Sequence, residues 1–538
     1  MSIQAFPFQT EAVEGIHSAM KTERGVVLIG IVGCGKTYIM GKYLSEAFDR
    51  GDIQSVPGSM CPPVLYISLK PVVPQTQRVL TKEFGLAGDK VLCLTYPNLR
   101  SPAYRGLFFQ EETYYEGMEE KIKYEWKESF FPRLVVIDEP QALRNPTASI
   151  TQLLFSLYRR SPHTKFLNMG YTPFIKPIES RWCCLSAGLR TVPGSTRPET
   201  VLKEKDFNLW VKKVSGGNPN SLNSAAVERI KISWGKSYVL VKGVKFKKRV
   251  MNRQLIIPFA CQQHRDLYDQ AWQDYLEELD KAGKLPPADQ ALQKAIALLK
   301  LQKRAEAIRA AYLVTAATEA IKQGKAPIIA IKYHDTVELL KIALSLHPQI
   351  KASFIIGGQT DQERQENIDA FQTGKTHLCI ITIGAGGTGL SLHHNDDNEN
   401  LTKPREVYMS PAFNAIDVAQ TAGRAHRLTS ISTTYQYLLY FKDTVEEYVS
   451  AKLAKKLNCM SKLIAKGESW ADMFVPKDKL GRGIDMEGLK EKTDSEDNLI
   501  ELEGGDFMDQ DEEEAPTLVK ELSAPSHPNQ QKLLAQAS

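Results

Sequence analysis

Apolar residues in this chain fall into short uninterrupted runs instead of alternating with polar ones. Five runs rich in Val, Ile and Leu lie in the first third, at residues 25–31, 63–69, 90–96, 133–139 and 165–170. Five more lie later, at residues 327–331, 353–358, 377–383, 406–410 and 434–440. Strands buried on both faces of a parallel sheet have this pattern, and the intervening segments are long enough for crossover helices. The pattern predicts an α/β fold with two parallel sheets.

The region between the two sets of runs differs in composition. Residues 215–225 are rich in Gly, Asn, Pro and Ser, and residues 236–250 form a basic, β-like run. Residues 262–323 are dense in helix formers, with a break at Pro286-Pro287. These helices either project from the fold as a charged hairpin or pack against the sheets. The sequence pattern leaves both interpretations open.

Charge is distributed unevenly, although the formal net charge of the 538 residues is only +5. Residues 485–521 hold fifteen acidic and three basic residues, whereas the first 484 residues carry 64 basic and 48 acidic ones. A basic body fits a nucleic-acid-binding surface and an ordinary basic enzyme equally well. We expect the acidic tail to be disordered. It would compete with DNA for a basic surface, bind a basic protein partner or only keep the protein soluble.

Composition excludes several classes of protein. No apolar run approaches the ~18 residues of a membrane-spanning helix, and the first residues lack the features of a secretory signal. The eight cysteines include no CxxC pair, which argues against a disulfide framework and a cysteine zinc site. We expect a soluble, intracellular protein without a membrane partner, and the sequence does not distinguish cytoplasm from nucleus.

These patterns divide the chain into four expected segments. They are an N-terminal sheet domain over 1–255 with an irregular, basic insertion at about 176–255, a helical linker or protrusion over 256–325, a C-terminal sheet domain over 326–475 and an acidic tail over 476–538.

Residues 30–37, GIVGCGKT, match the phosphate-loop pattern GxxxxGK[ST] between a predicted strand and a predicted helix. Gly33 and Gly35 allow backbone N–H groups to turn toward phosphate oxygens at the positive end of the helix. Lys36 would reach the β- and γ-phosphates, and the Thr37 hydroxyl would hold Mg²⁺. The match predicts a nucleotide site.

A pair of carboxylates follows the apolar run LVVI at residues 134–137. Asp138 would hold Mg²⁺ through water, and Glu139 would orient or deprotonate the attacking water. A lone Asp-Glu pair is usually part of a solvated loop. The phosphate loop about 100 residues earlier, with a buried strand before the acids, favours the catalytic interpretation.

The second half contains a Gly-rich turn at residues 382–392 and two arginines, Arg424 and Arg427, within QTAGRAHR on an expected helix. An arginine that reaches the γ-phosphate from another sheet unit couples hydrolysis to movement. Taken alone, the two arginines fit an exposed helix face.

The order of these segments resembles a superfamily-two helicase or translocase with a DEAD/DEAH-type two-lobe core, and most closely the Swi/Snf-like ATPases. The resemblance covers roughly residues 5–455. The similar pieces are FPFQ at 6–9, GIVGCGKT at 30–37, VIDEPQAL at 136–143, MGYTP at 169–173, KYHD at 332–335, GGQTDQERQENIDAF at 357–371, GAGGTGLSL at 384–392, QTAGRAHR at 420–427 and KDTVEE at 442–447.

The resemblance implies two RecA-like lobes of the P-loop NTPase class, with ATP and Mg²⁺ bound in the cleft between them. Gln9 would read the adenine edge, and Arg427 would be the arginine finger. The other residues it assigns to the nucleotide are Gly30, Gly33, Cys34, Gly35, Lys36, Thr37, Asp138, Glu139, Gln141, Gln420 and Arg424. The residues that it places against the nucleic-acid backbone are Lys70, Thr95, Thr382, Gly386 and Thr388.

Three positions depart from the family pattern without removing a catalytic group: Pro140 after the acids, Tyr171 in MGYTP, and Leu428 after the second arginine. Tyr171 fits a core aromatic better than a coupling residue. The basic run at 242–249 fits a DNA contact, a nuclear-import signal or a solvated strand. The expected function is an ATP-dependent translocase on double-stranded DNA. An RNA-dependent helicase and an ATP-switched scaffold with little turnover are the alternatives.

Overall fold

The chain folds into two α/β units, each built on one six-stranded sheet. The computed structural model describes residues 5–116, 119–187, 204–221, 223–386, 390–395 and 403–463. Of these residues, the first unit contains 5–245 and 458–463, and the second contains 246–457. The acidic tail expected from residue 476 lies outside the described residues. The two parallel sheets confirm the predicted α/β fold class.

The first unit contains eight strands, six of which form the sheet. The strands are β1 (Gly25–Ile29), β2 (Val64–Ser68), β3 (Val91–Thr95), β4 (Phe109–Glu116), β5 (Glu119–Trp126), β6 (Leu134–Asp138), β7 (Lys165–Gly170) and β8 (Tyr238–Leu240). The sheet order is β3-β2-β6-β7-β1-β8, and every pairing is parallel. Each of the five predicted apolar runs contains one of these strands. Because all six strands point the same way, the residues that follow β1 and β6 emerge at one edge of the sheet.

Helices cover this sheet and connect its strands. They are α1 (Pro7–Thr22), α2 (Lys36–Asp49), α3 (Val73–Phe84), α4 (Pro102–Phe108), α5 (Ser149–Arg160), α6 (Arg181–Ser186), α7 (Glu204–Val214) and α8 (Ser224–Ser233). Apolar side chains of α1, among them Val13 and Ile16, are buried. The central strands β1 and β6 are buried along their whole length, as continuous apolar runs require.

The strands β4 and β5 form an antiparallel hairpin that the sequence analysis did not predict. Phe109 and Trp126 are a cross-strand pair at its base, and both side chains are buried. The indole of Trp126 donates to the carbonyl of Phe130 at 2.9 Å, and its backbone N–H donates to Ser156 of α5. The hairpin is therefore anchored to the first unit at its base.

The second unit contains the other six strands in the order β11-β12-β10-β13-β14-β9, again all parallel. They are β9 (Val250–Ile257), β10 (Ala326–Ile331), β11 (Ala352–Ile355), β12 (Leu378–Thr382), β13 (Arg405–Met409) and β14 (Thr434–Phe441). Its helices are α9 (Gln262–Gly283), α10 (Pro287–Lys322), α11 (Asp335–Ser345), α12 (Asp361–Gln372), α13 (Ile383–Gly386), α14 (Ala415–Ala422) and α15 (Val445–Ser461).

The boundary between the units lies earlier than the expected residue 255. The longer segment of the first unit ends at Lys245, and β9 pairs with β14 along eight residues in the second sheet. The basic run at 242–249 therefore spans the end of one unit and the start of the other. All five basic residues of this run are exposed: Lys242, Lys245, Lys247, Lys248 and Arg249.

The predicted helices of residues 262–323 pack on the second sheet. The second half of α10 buries Leu313 and Val314 in a core that includes Ile329 and Leu439 of the strands. The first half of α10 and α9 share a second core with Phe413 and Phe441. Packing against the sheet, one of the two interpretations left open, is therefore the one observed.

A buried ionic network ties α10 to the strand ends of the second unit. The guanidinium of Arg309 contacts the carboxylate of Glu446 and donates to the Ser410 hydroxyl at 2.8 Å. Glu306, one turn before Arg309, accepts bonds from the backbone N–H groups of Lys332 and Tyr333 at 2.8 and 2.9 Å. The side chains of Arg309 and Glu446 are 0% and 1% exposed. The network fixes the turn after β10 against the long helix.

No helix of the described residues combines the length and the apolar character that crossing a bilayer requires.

Candidate nucleotide-binding site

The loop between β1 and α2 has the backbone conformation of a phosphate cradle. Gly33 and Gly35 have φ angles of 85° and 83°, in the left-handed region that glycine adopts readily. Helix α2 begins at Lys36, so its first N–H groups, which have no intrahelical acceptors, point into the loop. The Lys36 ammonium group donates to the carbonyl of Gly30 at 3.1 Å. A phosphate group fits this set of donors because they are all positive or N–H groups.

Gln9 lies against this loop. It is 4% exposed, and its Nε2 donates to the carbonyl of Cys34 at 3.2 Å while its Oε1 accepts from the backbone N–H of Phe6. A Cβ atom on Gly35 would lie 2.6 Å from the Gln9 Nε2. The carboxamide thus joins the start of α1 to the loop, at one side of the expected nucleotide position.

Asp138 ends β6 at the same sheet edge, with its carboxylate buried. Its Oδ2 accepts hydrogen bonds from the hydroxyls of Tyr66 at 2.8 Å and Ser68 at 3.0 Å. Burial raises the pKa of Asp138 to about 6, and the charge of Glu139 adds to the rise. The two hydroxyl bonds and the nearby ammonium of Lys36 oppose it. Because β1 and β6 run parallel with only β7 between them, the loop after β1 and the acid at the end of β6 lie at the same edge of the sheet.

The acidic turn after β6 has an unusual backbone. Glu139 has a φ of 58° and precedes Pro140, although neither its side chain nor a following proline favours the left-handed region. Its N–H donates to the carbonyl of Met169 at 2.9 Å, and its carboxylate accepts from Gln141 Nε2 at 2.8 Å. Strained residues of this kind often occur at functional sites. The first unit therefore brings together Gln9, the phosphate loop, Asp138, Glu139 and Gln141.

The segments expected to face nucleic acid lie at the ends of β2 and β3. Lys70 follows β2 and is exposed, whereas Thr95 ends β3 and is largely buried, its hydroxyl accepting from the N–H of Asn98 at 3.1 Å. Thr95 is thus a turn-capping residue in this structure. Tyr171 is fully buried, in agreement with its interpretation as a core aromatic.

In the second unit, Arg424 and Arg427 lie in the loop after α14, and the expectation that they lie on a helix is wrong. Helix α14 ends at Ala422, whose carbonyl accepts from the side-chain Nε2 of Gln436 at 2.7 Å, and the carbonyl of Arg424 accepts from the N–H of Leu392 at 2.9 Å. Both guanidinium groups donate to the carbonyl of Leu390, Arg427 at 2.7 Å and Arg424 at 3.5 Å. Arg424 is only 9% exposed, so an exposed helix face is excluded for it.

Gln420 lies on α14 and is buried. Helix α14 begins at Ala415 because the side chain of Asn414 caps it, accepting from the N–H of Ile416 at 3.2 Å. Thr382 ends β12 and is also largely buried, and the backbone of Gly386 ends the short helix α13. Thr388 lies outside the described residues. No group of three or more His, Cys, Asp or Glu side chains suited to a metal occurs within the described ranges.

Sequence reasoning missed the hydroxyl groups that hold the acidic turn. Tyr66, Ser68 and Tyr96 all contact Asp138 or Glu139. Alternation along β2 places Tyr66 and Ser68 on one face of the sheet, which is the only sequence signal for this pair.

Comparison with known proteins gives a partial family match and remote relatives. Residues 307–429 match the helicase conserved C-terminal domain. A putative ATP-dependent RNA helicase of Acanthamoeba polyphaga mimivirus is 23% identical over 478 residues, which cover 85% of this chain and 83% of the relative.

Two solved structures are similar to the chain at low scores. The SWI2/SNF2 ATPase core of Sulfolobus solfataricus in complex with dsDNA is 15% identical, with a TM-score of 0.34 and coverage of 88% of this chain and 96% of that one. S. cerevisiae Dbp5 bound to RNA and ADP BeF3 is 12% identical, with a TM-score of 0.42 and coverage of 92% and 97%. Residues 307–429 thus match a helicase domain model, and over most of its length the chain is similar to a protein named as a helicase.

Proposed function

We propose that this protein is an ATP-dependent translocase of the Swi/Snf-like type that moves along or remodels double-stranded DNA. The observation that carries the proposal is that the loop bearing Lys36, after β1, and Asp138, at the end of β6, emerge at the same edge of the first parallel sheet. A cation that reaches phosphates and a carboxylate that can hold Mg²⁺ are the two requirements of nucleotide hydrolysis at such a site. The order of the helicase-like segments supports the choice of motor over other ATPases.

In this proposal the phosphate loop binds the triphosphate of ATP, with Lys36 at the β- and γ-phosphates and Gln9 beside the adenine. Thr37 and Asp138 would hold Mg²⁺, which would neutralise phosphate charge. The Asp138 carboxylate is itself held by the hydroxyls of Tyr66 and Ser68, which both donate to its Oδ2. Oxygen ligands are the ones that Mg²⁺ prefers, so the residues fit this metal.

Glu139 accepts the proton of the attacking water or orients that water. Its carboxylate is held by Gln141, which fixes one of its oxygens and leaves the other for the water. The family resemblance also assigns Gln420, Arg424 and Arg427, all in the second unit, to the phosphates. We propose Arg427 as the residue that stabilises charge on the γ-phosphate.

A substitution at Glu139 tests the assigned chemistry. Glu139→Gln keeps the size of the side chain and removes its basicity, so ATP turnover is expected to fall by roughly 10²–10⁴-fold while ATP binding remains. Glu128→Gln is the matched control, because Glu128 lies in the same unit with its side chain 80% exposed. Equal turnover in Glu139→Gln and wild type would exclude the proposed role of Glu139.

The substrate is tested by measuring ATP turnover without polymer and with single-stranded DNA, duplex DNA and RNA in parallel. We expect the largest stimulation with duplex DNA and a steep loss of DNA affinity as salt rises, because contacts to phosphates release counterions. A forked duplex tests whether strands are separated. Translocation without unwinding predicts that the fork stays annealed while ATP is consumed.

An RNA-dependent helicase is the second candidate, because a relative that aligns with 85% of this chain is named an RNA helicase. Stimulation by RNA above duplex DNA would favour it. A nucleic-acid-binding scaffold switched by ATP is the third candidate. It predicts ATP binding with negligible turnover under all four conditions.

A further inference from the structure

Tyr96 connects a segment expected to face nucleic acid with the acidic turn. It directly follows β3, and its side chain is 7% exposed. Its hydroxyl lies 2.8 Å from the carbonyl oxygen of Asp138 and 3.2 Å from that of Glu139. One hydroxyl proton is therefore shared between two consecutive carbonyl groups. Burial and the adjacent carboxylates raise the pKa of Tyr96 well above its ordinary value, so the hydroxyl remains a donor at neutral pH.

The turn that Tyr96 holds is strained. Glu139 has a left-handed backbone although it is not a glycine and a proline follows it, and both facts disfavour this conformation. Such a conformation persists only where surrounding contacts fix it. Here the N–H of Glu139 is bonded to Met169 on one side, and the two carbonyls are bonded to Tyr96 on the other. Gly170 packs closely against this turn, since a Cβ atom on it would lie 3.1 Å from the ring of Pro140.

The other end of the Tyr96 connection is a compact turn. The Thr95 hydroxyl accepts from the N–H of Asn98, and the N–H of Tyr96 donates to the carbonyl of Ser68 at 3.1 Å. Ser68 itself donates to the Asp138 carboxylate and lies two residues before Lys70. Both expected nucleic-acid segments, at Thr95 and at Lys70, are thus one or two residues away from a hydroxyl that holds the acidic turn.

We propose that Tyr96 is a positioning residue through which nucleic acid bound at the turn after β3 sets the orientation of Glu139. This inference rests on the proposed function, because it assumes ATP hydrolysis and a nucleic-acid contact near Thr95. A displacement of that turn moves the Tyr96 hydroxyl relative to the two carbonyls. Because hydrogen bonds weaken steeply with angle, a small movement changes which carbonyl is held and rotates the peptide planes on both sides of Glu139. The carboxylate then moves relative to its Gln141 partner and the attacking water.

A purely structural role for Tyr96 makes a different prediction. If the hydroxyl only stabilises the turn, its loss lowers ATP turnover equally with and without polymer. If it transmits the bound state, its loss lowers the factor by which polymer stimulates turnover. The ratio of the two rates therefore separates the two roles.

Tyr96→Phe removes the hydroxyl and keeps the ring. We expect the stimulation of ATP turnover by a short duplex DNA, or by RNA of the same sequence, to fall by roughly fivefold, the factor that one neutral hydrogen bond is worth. The KM for ATP and the affinity for polymer, measured by fluorescence anisotropy, are expected to stay within about twofold. Tyr238→Phe is the matched control, because the Tyr238 hydroxyl also donates to a backbone carbonyl, that of Leu463 at 2.7 Å.

Three outcomes are decisive. A reduced stimulation factor in Tyr96→Phe, with an unchanged factor in Tyr238→Phe, supports the inference. If polymer stimulates wild-type turnover and stimulates Tyr96→Phe by the same factor, the inference is overturned and the proposed function stands. A wild-type protein that no polymer stimulates overturns the proposed function and the inference together.

A measurement on wild-type protein keeps the test valid if Tyr96→Phe does not fold. Hydrogen–deuterium exchange is followed with and without duplex DNA or RNA, in the absence of nucleotide. Polymer binding is expected to change exchange both around residues 95–98 and around residues 138–142. A change confined to 95–98 would overturn the inference, because the acidic turn would then not respond to the bound polymer.

Discussion

Removal of Arg309 is expected to destabilise the second unit strongly. Arg309 contacts Glu446 and donates to Ser410, and it lies 3.9 Å from a carboxylate oxygen of Glu306. Glu306 keeps its bonds from Lys332, Tyr333 and Thr336 when Arg309 is replaced. Glu446 keeps the bond that its carboxylate accepts from the N–H of Phe441 at 3.1 Å. Arg309→Met therefore leaves a buried carboxylate without its cation.

The magnitude follows from the burial of the pair. Removing one partner of a fully buried ion pair costs about 3–5 kcal/mol, because the other charge stays buried and uncompensated. For a unit of this size each kcal/mol lowers the midpoint of thermal unfolding by ~2–4 °C, so the transition of the second unit is expected to fall by roughly 6–20 °C. The double variant Arg309→Met/Glu446→Leu removes both charges and is expected to recover most of this loss.

The assay is thermal unfolding followed by circular dichroism, with Arg304→Met as the matched control. Arg304 lies on the same helix and forms an ion pair with Asp274 at 3.3 Å, but the two side chains are 35% and 44% exposed. Exposed pairs contribute about 0–1 kcal/mol, so the control is expected to move the midpoint by only a few degrees. Equal shifts for Arg309→Met and Arg304→Met would refute the reasoning from burial.

The loss in Arg309→Met is also expected to depend on pH. Burial raises the pKa of Glu446 above its ordinary value of 4.5, and the charge of Arg309 opposes that rise. Without Arg309 the pKa rises further. A group whose pKa is higher in the folded state stabilises the fold at low pH, and this stability is lost as pH rises through the folded pKa. The deficit of the variant relative to wild type should therefore be smallest near about pH 4 and grow toward neutral pH.

Three further predictions concern the expected nucleotide site and its supports. Lys36→Ala is expected to abolish ATP turnover and to leave the unfolding midpoint near that of wild type, checked by phosphate release and circular dichroism, since its ammonium bonds only the Gly30 carbonyl at 3.1 Å. Gly35→Ala is expected to weaken binding of a fluorescent ATP analogue by roughly tenfold. The reasons are that an alanine with a left-handed backbone costs about 1–2 kcal/mol and that its Cβ would displace the Gln9 side chain. Unchanged affinity would contradict this expectation. Asn414→Ala removes the cap of α14 and is expected to cost about 1 kcal/mol in denaturant unfolding, whereas Asn414→Asp, which keeps a capping oxygen, should cost much less.

Much of the fold was readable from the sequence, because its signals are local. Each of the ten apolar runs contains or overlaps a strand of a parallel sheet, since a strand covered on both faces must be apolar throughout. The phosphate loop was equally readable, because glycines, lysine and threonine at fixed spacing between a strand and a helix specify one backbone path. The acids after β6 followed from the parallel direction of the strands.

Other features were decided by contacts between residues far apart in the chain. The strand β9 lies in the second sheet because it pairs with β14, about 180 residues later, and no local signal in its sequence names that partner. Arg424 and Arg427 lie in a loop and not on the expected helix, and their bonds there are made to Leu390 and Leu392, more than 30 residues earlier in the chain. Arg309 and Glu446 are residue types that usually lie at the surface. Their burial depends on the ion pair between them, and they are 137 residues apart in the chain.

The sequence by itself determined the class of fold, the path of the phosphate loop and the residue types at the strand ends, because each depends on neighbours along the chain. Only the tertiary structure decided how Glu139 is oriented. Its left-handed backbone is unfavourable locally and is held by Met169 and Tyr96, which belong to other strands and turns. A strained turn of this kind cannot be specified by local preference, since the energy that maintains it comes from contacts that exist only in the folded unit.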